Sequence, residues 1–243
     1  MKIITFSRRC GKEILRDPLN LFFGLGFPIV LLLLLEAIQK NVPVDLFAIN
    51  RLTPGITVFG LSFMTLFSAT LVSRDRESAF LERLYTTPMS SGDFIFGYML
   101  PIIPLSVGQC IVCYIAAIPL GLKPGIGIVY SVLFIVPIAI LYISLGLLCG
   151  SVFTVKQVGG ICGALLTNLS AWLSGTWFDL DLVGGAFRQV ANLLPFIHAV
   201  ELERAVLDGR WSDMIPHLLW VIAWGTFVTA VAVLLFLRQM RKK

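Results

Sequence analysis

The sequence predicts an all-α, polytopic membrane protein with six transmembrane helices. Of its 243 residues, 57% are hydrophobic and only 14% are charged, against about 45–50% and about 25% in soluble domains. The charged residues are also clustered, which leaves apolar runs long enough to cross a hydrocarbon core of about 30 Å. A chain with so little polar surface is not expected to be a soluble globular protein.

Charged and turn-forming segments separate the predicted spans, which lie at residues 20–38, 54–73, 94–120, 126–152, 158–178 and 216–237. Residues 1–19 are predicted to form an amphipathic helix on the membrane surface, with a merely solvated leader as the alternative. The apolar residues of this segment recur at helical spacing: Ile3, Phe6, Cys10 and Ile14. The helix is expected to end before Pro18, because the residue preceding a proline avoids helical geometry.

The distribution of lysine and arginine predicts that both termini are cytoplasmic. Thirteen of these cations fall on one side of the predicted spans: Lys2, Arg8, Arg9, Lys12, Arg16, Arg74, Arg76, Arg83, Lys156, Arg238, Arg241, Lys242 and Lys243. Six fall on the other side: Lys40, Arg51, Lys123, Arg188, Arg204 and Arg210. The richer side is the cytoplasmic side of multi-pass proteins. The net charge of +5 is therefore attributed to membrane orientation rather than to nucleic-acid binding.

Few polar features interrupt the spans. No charged residue lies at a span centre, and Glu36, near the outer end of the first span, is expected to reach interfacial water. Two pairs of glycines at four-residue spacing, Gly146 with Gly150 and Gly159 with Gly163, are expected to allow close helix packing. The cysteines lie in or near apolar segments, so we expect packing roles rather than disulfides.

The loop after the second span, residues 74–93, carries charges of both signs in a helix-sized segment. Its apolar residues share one helical face: Phe80, Leu81, Leu84 and Tyr85. Pro88 then ends the predicted helix. A short amphipathic helix tethered between two spans suits docking into a groove of a soluble partner. A helix lying passively at the interface is the alternative.

In this loop the chain resembles the permease family of ABC type-2 exporters, whose pattern is close to R-E-R-E-x-G-T-L-E-R-L-x-x-T-P. The matching residues are Arg74, Arg76, Glu77, Leu81, Glu82, Arg83, Leu84, Thr87 and Pro88. The chain departs from the pattern at Ala79 and Phe80. Further matches lie elsewhere in the chain: Arg16 to Pro18, Pro54, Gly55, Gly97, Ser174, Gly175, Phe178, Leu194, Pro195, His198, Ala199, Val200, Glu201 and Arg204.

The resemblance implies one transmembrane domain over residues 1–243, with an interfacial helix, a cytoplasmic coupling helix and an outer re-entrant segment at 179–215. The composition agrees for the re-entrant segment, which is too charged to cross the bilayer and amphipathic enough to lie in its outer boundary. Two helical stretches separated by Pro195 and a turn at Asp208 and Gly209 are expected within it.

The resemblance also implies a separate ABC ATPase subunit and a second permease copy, identical or related. The chain has no G-x-x-x-x-G-K-[ST] loop, so we expect ATP and Mg²⁺ to bind the partner and no cofactor to bind this chain. The residues expected to dock the ATPase are Arg76, Glu77, Phe80, Leu81, Leu84, Tyr85 and Pro88. The expected function is export of a hydrophobic or amphipathic small molecule across the plasma membrane. Export of a lipid-linked glycan, and a channel or scaffold without ATP coupling, are the alternatives.

Candidate substrate contacts are the polar and aromatic side chains within the spans. They are Gln109, Asn168, Trp172, Thr176, Trp177 and Phe178. Interhelical hydrogen bonding and an interfacial aromatic belt are the competing roles. His198 with Glu201 as metal ligands, and His198 with His217 as haem ligands, remain open at this point, although no third metal ligand accompanies them.

Overall fold

The structure is a computed structural model that describes residues 2–41, 47–78, 80 and 90–241. Those residues form helices and connecting turns, with no strand among them. The helices, numbered in chain order, are α1 (Lys2–Leu15), α2 (Pro18–Asn41), α3 (Ile49–Glu77), α4 (Ser91–Ala117), α5 (Ile126–Val152), α6 (155–173), α7 (Leu180–Val183), α8 (Gly185–Leu193), α9 (Pro195–Leu207) and α10 (Trp211–Arg241). Within α2 and α6, the stretches Phe22–Gly26 and Ile161–Leu166 are π-helical.

Within the described part of the chain, five helical segments are long and apolar enough to cross a membrane: Pro18–Asn41, Ile49–Glu77, Gly92–Leu120, Ile126–Val152 and Trp211–Arg238. They match the first four predicted spans and the last one. The predicted fifth span, 158–178, coincides with α6, which is helical over 155–173 but is not among the five. Lys156, Gln157 and Asn168 lower the hydropathy of α6.

The second span, α3, is the centre of the fold. Its apolar window is 89% buried, against 28% for α2 and 22% for α10. The α3 helix packs most closely on α5, where a Cβ at Gly146 or Gly150 would overlap atoms of α3. Hydroxyls also cross this interface, since Thr65 Oγ1 donates to the Tyr142 carbonyl at 2.7 Å. The predicted packing role of the first glycine pair is therefore confirmed.

The second glycine pair behaves differently. A Cβ at Gly159 would meet no described atom within 4 Å, and one at Gly163 would meet only the Leu66 side chain at ordinary distance. The expectation of close packing at Gly159 and Gly163 is therefore wrong for contacts among the described residues of this chain. The pair lies in the first half of α6, which presents these positions outward.

Short polar signals define where several helices begin. Ser90 and Asp93 form a reciprocal capping box at the start of α4, and Thr154 with Gln157 forms another at the start of α6. Asp17 caps the first turn of α2 by accepting from the Asn20 amide at 3.2 Å. These caps set the points at which the chain turns between neighbouring helices at one end of the bundle.

The N-terminal segment is helical over α1 (Lys2–Leu15), with Phe6, Cys10 and Ile14 buried as their spacing predicts, while its position on the membrane surface stays a prediction. The segment 179–215 also has the two helical stretches that the sequence predicts on either side of Pro195. Its helix α9 begins at Pro195 and ends before Asp208, and Gly209 adopts a left-handed φ of 71° that favours glycine. The expected turn at this point is therefore confirmed.

Glu36 lies in a different environment from the one expected. The sequence predicts a carboxylate reaching interfacial water, whereas the residue is only 7% exposed in α2. Glu36 is paired with Lys40, with 3.9 Å between Nζ and Oε1. The contact follows from their i, i+4 spacing on one face of the helix.

Candidate functional site

Four consecutive charged residues end the central helix α3: Arg74, Asp75, Arg76 and Glu77, here called the RDRE turn. Successive residues of an α-helix point about 100° apart, so four in sequence face all sides of the helix. Each side chain of the RDRE turn contacts a different part of the bundle, and the turn leads directly into the predicted docking segment.

Asp75 joins α3 to α1 and α4. Its side chain is almost fully buried, and both Arg9 Nη atoms donate to it, Nη2 at 2.7 Å from Oδ1. Tyr98 of α4 donates its hydroxyl to Oδ2 at 2.8 Å. Burial lowers the pKa of the Arg9 guanidinium, but the hydrogen bond and charge of Asp75 outweigh this effect and the net pKa is raised. The bidentate contact fixes α1 to the end of α3.

Aromatic packing supports the same contact between α1 and α4. The Phe6 ring lies edge-on to Tyr98, with 4.8 Å between centroids, and edge-on to Phe94 at 5.9 Å. Any Cβ at position 97 would overlap the Phe6 ring, so Gly97 provides the space in which the ring sits. The apolar face of α1 thus packs on protein rather than on lipid alone.

Arg76 and Glu77 join α3 to the loop between α5 and α6. The Arg76 guanidinium donates to the carbonyls of Ser151 and Phe153, at the C-terminal end of α5. Carbonyls in the last turn of a helix lack intrahelical partners and carry partial negative charge, which suits a guanidinium. Glu77 accepts from the Val155 amide at 2.9 Å, at the positive N-terminal end of α6. Both residues therefore stabilise helix ends.

Arg74 and Phe80 complete the connections of this region. Arg74 lies 3.8 Å from the Asp17 carboxylate, which caps α2. Phe80 lies under the Arg9 guanidinium, with 4.4 Å from Cζ to the ring centroid, a cation–π contact. The chain immediately after α3 is thus attached to the same arginine that binds Asp75.

The predicted ATPase-docking residues divide into two groups. Arg76, Glu77 and Phe80 are described by the structure, and their side chains contact other parts of this chain. The other four lie outside the described residues: Leu81, Leu84, Tyr85 and Pro88. The sequence pattern missed Asp75, Arg9 and Tyr98. The position of Asp75 on the buried face of α3, following Leu71 and Val72, is the signal that identifies it.

The predicted substrate contacts lie in several environments. Gln109 is buried between α4 and α3, where Nε2 donates to the Thr57 carbonyl at 3.3 Å. Asn168 is exposed and donates to the Ala164 carbonyl one turn earlier in α6, and Trp172 is 50% exposed on the same helix. Gln109 therefore holds two helices together, whereas Asn168 and Trp172 face outward.

The other three predicted contacts follow α6. Thr176 is buried, and a Cβ at Gly55 would lie 2.9 Å from its methyl carbon. The Trp177 ring lies edge-on to Phe59 at 5.6 Å, and Phe178 is 6.1 Å from the ring of Phe187. None of the six predicted contacts lines either of the two larger described cavities.

A buried polar cluster on α9 was not anticipated from the sequence. Glu203 is fully buried and accepts from the Tyr114 hydroxyl at 3.2 Å. Burial raises the pKa of this carboxyl to about 8, although the hydrogen bond from Tyr114 opposes the shift. Arg204 donates to the Gly175 carbonyl at 3.2 Å and to the Arg51 carbonyl at 3.3 Å. These bonds join α9 to the ends of α3 and α6 opposite the RDRE turn.

The two histidines contact each other at this same end. The Nδ1 atoms of His198 and His217 are 2.8 Å apart, too close to hold an ion between them. His198 Nε2 faces the Asn192 carbonyl at 2.9 Å, and Glu201 is paired with Arg204 at 2.8 Å. Among the described residues, no group of three potential ligands could hold a metal. The geometry therefore does not fit the metal and haem alternatives.

Comparisons with known proteins agree with this architecture. The family model described as ABC-2 type transporter matches residues 1–207. A protein of Porphyra purpurea that carries the name transport permease ycf38 is 28% identical over 234 residues, covering 90% of this chain and 79% of the relative. ABC transporter G family member 20 of Dictyostelium discoideum is 28% identical over 200 residues, covering 76% of this chain and 26% of the relative. This chain is a membrane protein and belongs to the ABC-2 type transporter family.

Proposed function

We propose that this chain is the membrane-spanning permease subunit of an ATP-binding-cassette exporter. It moves a hydrophobic or amphipathic small molecule outward across the plasma membrane, using ATP hydrolysed by a separate subunit. Family membership and the apolar helices support the transport role. The sequence carries no nucleotide-binding loop of its own, so ATP and Mg²⁺ bind the partner.

The single observation that carries this proposal is the RDRE turn. A segment moved by an ATPase must transmit that movement to the membrane helices, and the turn that precedes the proposed docking segment is bonded to α1, α2, α4, α5 and α6. The contacts of Asp75 and Arg76 are charge-assisted and at least half-buried, which favours rigid transmission. A passive channel or scaffold does not require this arrangement.

The docking residues divide by role in this proposal. Leu81, Leu84, Tyr85 and Pro88 contact the ATPase, because they form the apolar face of the sequence pattern. Arg76, Glu77 and Phe80 act as positioning residues that orient this face through their contacts inside the chain.

The proposed topology has six spans, with α6 as the fifth. Both termini lie in the cytoplasm, as the lysine and arginine distribution indicates. Residues 179–215 form the outer re-entrant segment. A second permease copy completes the transporter, and the low burial of α2 and α10 leaves apolar faces for that copy or for lipid.

The substrate proposal rests on the outer half of α6. Asn168 and Trp172 face outward there, and Trp177 has a buried indole nitrogen without a partner among the described residues. Thr176 and Phe178 follow Trp172 closely in the chain, whereas Gln109 is buried between α4 and α3. An amphipathic molecule matches aromatic faces with a few polar groups. A lipid-linked glycan is the alternative cargo.

Co-purification with the ATPase tests the docking proposal. Leu84→Asp places a charge on the proposed apolar face and is expected to abolish assembly and substrate-stimulated ATP hydrolysis. Leu182→Asp is the matched control, because Leu182 is 83% exposed at the opposite end of the bundle. Normal assembly and stimulated hydrolysis in the Leu84→Asp protein would remove the docking claim.

A further inference from the structure

A basic groove runs along the polar side of α1 and reaches the start of α2. Its volume is about 910 Å³, and its cationic lining residues are Arg8, Arg9, Lys12, Arg16 and Arg74. Two carboxylates also line it, Glu13 and Asp17. The groove lies beside the RDRE turn, because it shares Arg9 and Arg74 with that turn.

The two carboxylates are already paired inside the chain. Glu13 lies 2.8 Å from Arg9, which also binds Asp75, and Asp17 lies 3.8 Å from Arg74. The remaining three cations, Arg8, Lys12 and Arg16, form no ion pair with any described residue. Arg8 and Lys12 lie one turn apart on the same side of α1, and Arg16 follows four residues later, where its backbone amide still bonds to the Lys12 carbonyl. The groove therefore carries uncompensated positive charge along its length.

The residues beside the groove indicate its depth in the membrane. Pro18 lines the groove and is also the first residue of the first candidate span. Next to it, Leu15 and Leu19 are 66% and 65% exposed, and Ile4 on the same edge of α1 is 66% exposed. Large exposed aliphatic side chains beside the start of a span are suited to acyl chains. The cations thus lie where lipid headgroups meet the hydrocarbon.

We propose that the basic groove binds the phosphodiester headgroup of an anionic glycerophospholipid. This inference rests on the cytoplasmic placement of α1 in the proposed function, since anionic lipids enrich that leaflet. Arginine and lysine donate charge-assisted hydrogen bonds to phosphate oxygens, while Leu15 and Leu19 contact the acyl chains. An acidic segment of a partner protein needs no apolar rim at the start of a span, so the lipid is favoured.

The bound lipid would link the membrane to the coupling region. Arg8 and Lys12 flank Arg9 on α1, and Arg9 holds both Asp75 and Phe80. A headgroup on this side of α1 therefore favours the position in which α1 is attached to the RDRE turn. The lipid composition of the membrane becomes a factor in the coupling of the transporter.

The test is a binding titration of the purified full-length protein in detergent with dioctanoyl phosphatidylglycerol. We expect saturable binding, none with dioctanoyl phosphatidylcholine and none with inorganic phosphate. Each cation at a membrane surface contributes about fivefold in affinity, so Arg8→Gln/Lys12→Gln/Arg16→Gln is expected to bind roughly a hundredfold more weakly. Lys156→Gln/Arg238→Gln, which removes two exposed cations from the same side, is the matched control and is expected to bind normally.

Several results would overturn the proposal. Equal binding by the triple variant and the wild type would show that the groove is not the site. Equal occupancy by inorganic phosphate would indicate a free-anion site, and loss of ATPase assembly with unchanged lipid binding would assign the groove to a protein partner. Burial of Cys10, measured by thiol labelling, confirms that α1 of the variant remains folded. The lipid titration itself is made without the ATPase, so its failure leaves the exporter proposal standing.

Discussion

The substitution Asp75→Asn is expected to release α1 from the bundle without unfolding the protein. Asp75 is 1% exposed and accepts three hydrogen bonds from Arg9 and Tyr98. Removing one partner of a fully buried ion pair costs about 3–5 kcal/mol. The Arg9 side chain is 38% exposed, and water compensates part of the loss, which leaves about 2 kcal/mol. An energy of about 2 kcal/mol corresponds to a roughly 30-fold larger open population of α1.

Cys10 provides the assay. The Cys10 side chain lies on the buried face of α1 and is fully buried. Burial also raises the pKa of its thiol to about 12. The thiol therefore reacts with a maleimide only when α1 moves away from the bundle. The protein is prepared with the other four cysteines changed to alanine, namely Cys110, Cys113, Cys149 and Cys162. Labelling in the Asp75→Asn protein is expected to be roughly 30-fold faster.

The control and the refuting result are both defined by the structure. Lys156→Gln changes an exposed cation of another helix that has no ion pair among the described residues, and it is expected to leave labelling of Cys10 unchanged. If Asp75→Asn labels within about threefold of the wild type, where RT ln 3 is below 1 kcal/mol, the ion pair does not hold α1.

Three further outcomes can be measured. Gly97→Val is expected to displace the Phe6 ring and accelerate labelling of Cys10. Adding Phe6→Ala to this variant is expected to reverse the effect, because it empties the space that the ring occupies. An unaltered labelling rate in Gly97→Val would contradict the packing of Phe6 on Gly97. Gly146→Val is expected to lower the free energy of unfolding by about 1–3 kcal/mol, because the new side chain overlaps α3, and thus to lower the thermal midpoint in detergent. An unchanged midpoint would refute the close contact between α3 and α5. The pKa of Glu203 in the folded protein is raised to about 8, so between about pH 4.5 and pH 8 the carboxyl is protonated in the folded state and ionised in the unfolded state. The free energy of unfolding therefore falls as pH rises through this range, by up to roughly 1.4 kcal/mol per pH unit. Thermal midpoints of Glu203→Gln should lack this decline, and parallel curves for both proteins would refute the assignment.

Local features of the fold were predictable because local chemistry determines them. The spacing of Phe6, Cys10 and Ile14 gives the buried face of α1, and Pro195 fixes the start of α9. Proline constrains its own φ and suits the first turn of a helix, and neither effect depends on distant residues. The spans follow from apolar runs alone, although the polar residues of α6 leave that helix outside the five candidates.

The contacts of the RDRE turn were not predictable from periodicity. Arg76 and Glu77 belong to an amphipathic pattern that indicates an outward-facing role, yet they bind backbone groups of Ser151, Phe153 and Val155, which are about 75 residues away in sequence. Every residue has a backbone carbonyl, so the identity of the accepting residue does not indicate that a distant side chain will bond to it. Such a bond depends on where the other helix ends in space. Only the packed arrangement reveals such a bond.

Glu203 illustrates a signal that was present and missed. It lies on the same face of α9 as the buried residues Ala199 and Val206, which places a carboxyl among apolar side chains. A charged residue within an apolar stripe is costly unless it is paired or protonated. Its neighbour Glu201 was the more noticeable candidate because of its spacing to His198, but Glu201 pairs with Arg204 instead.

The most direct test of the central claim is whether the RDRE turn transmits ATP hydrolysis to the membrane helices. Thiol labelling of Trp172→Cys, on the exposed side of α6, is measured in the reconstituted complex with and without ATP, in a background lacking the native cysteines. Labelling should change with ATP when Arg76 is present. In Arg76→Gln, ATP hydrolysis and assembly should persist while labelling becomes independent of ATP, because the contacts with Ser151 and Phe153 are lost. The same ATP-dependent change in the Arg76→Gln complex would contradict the account.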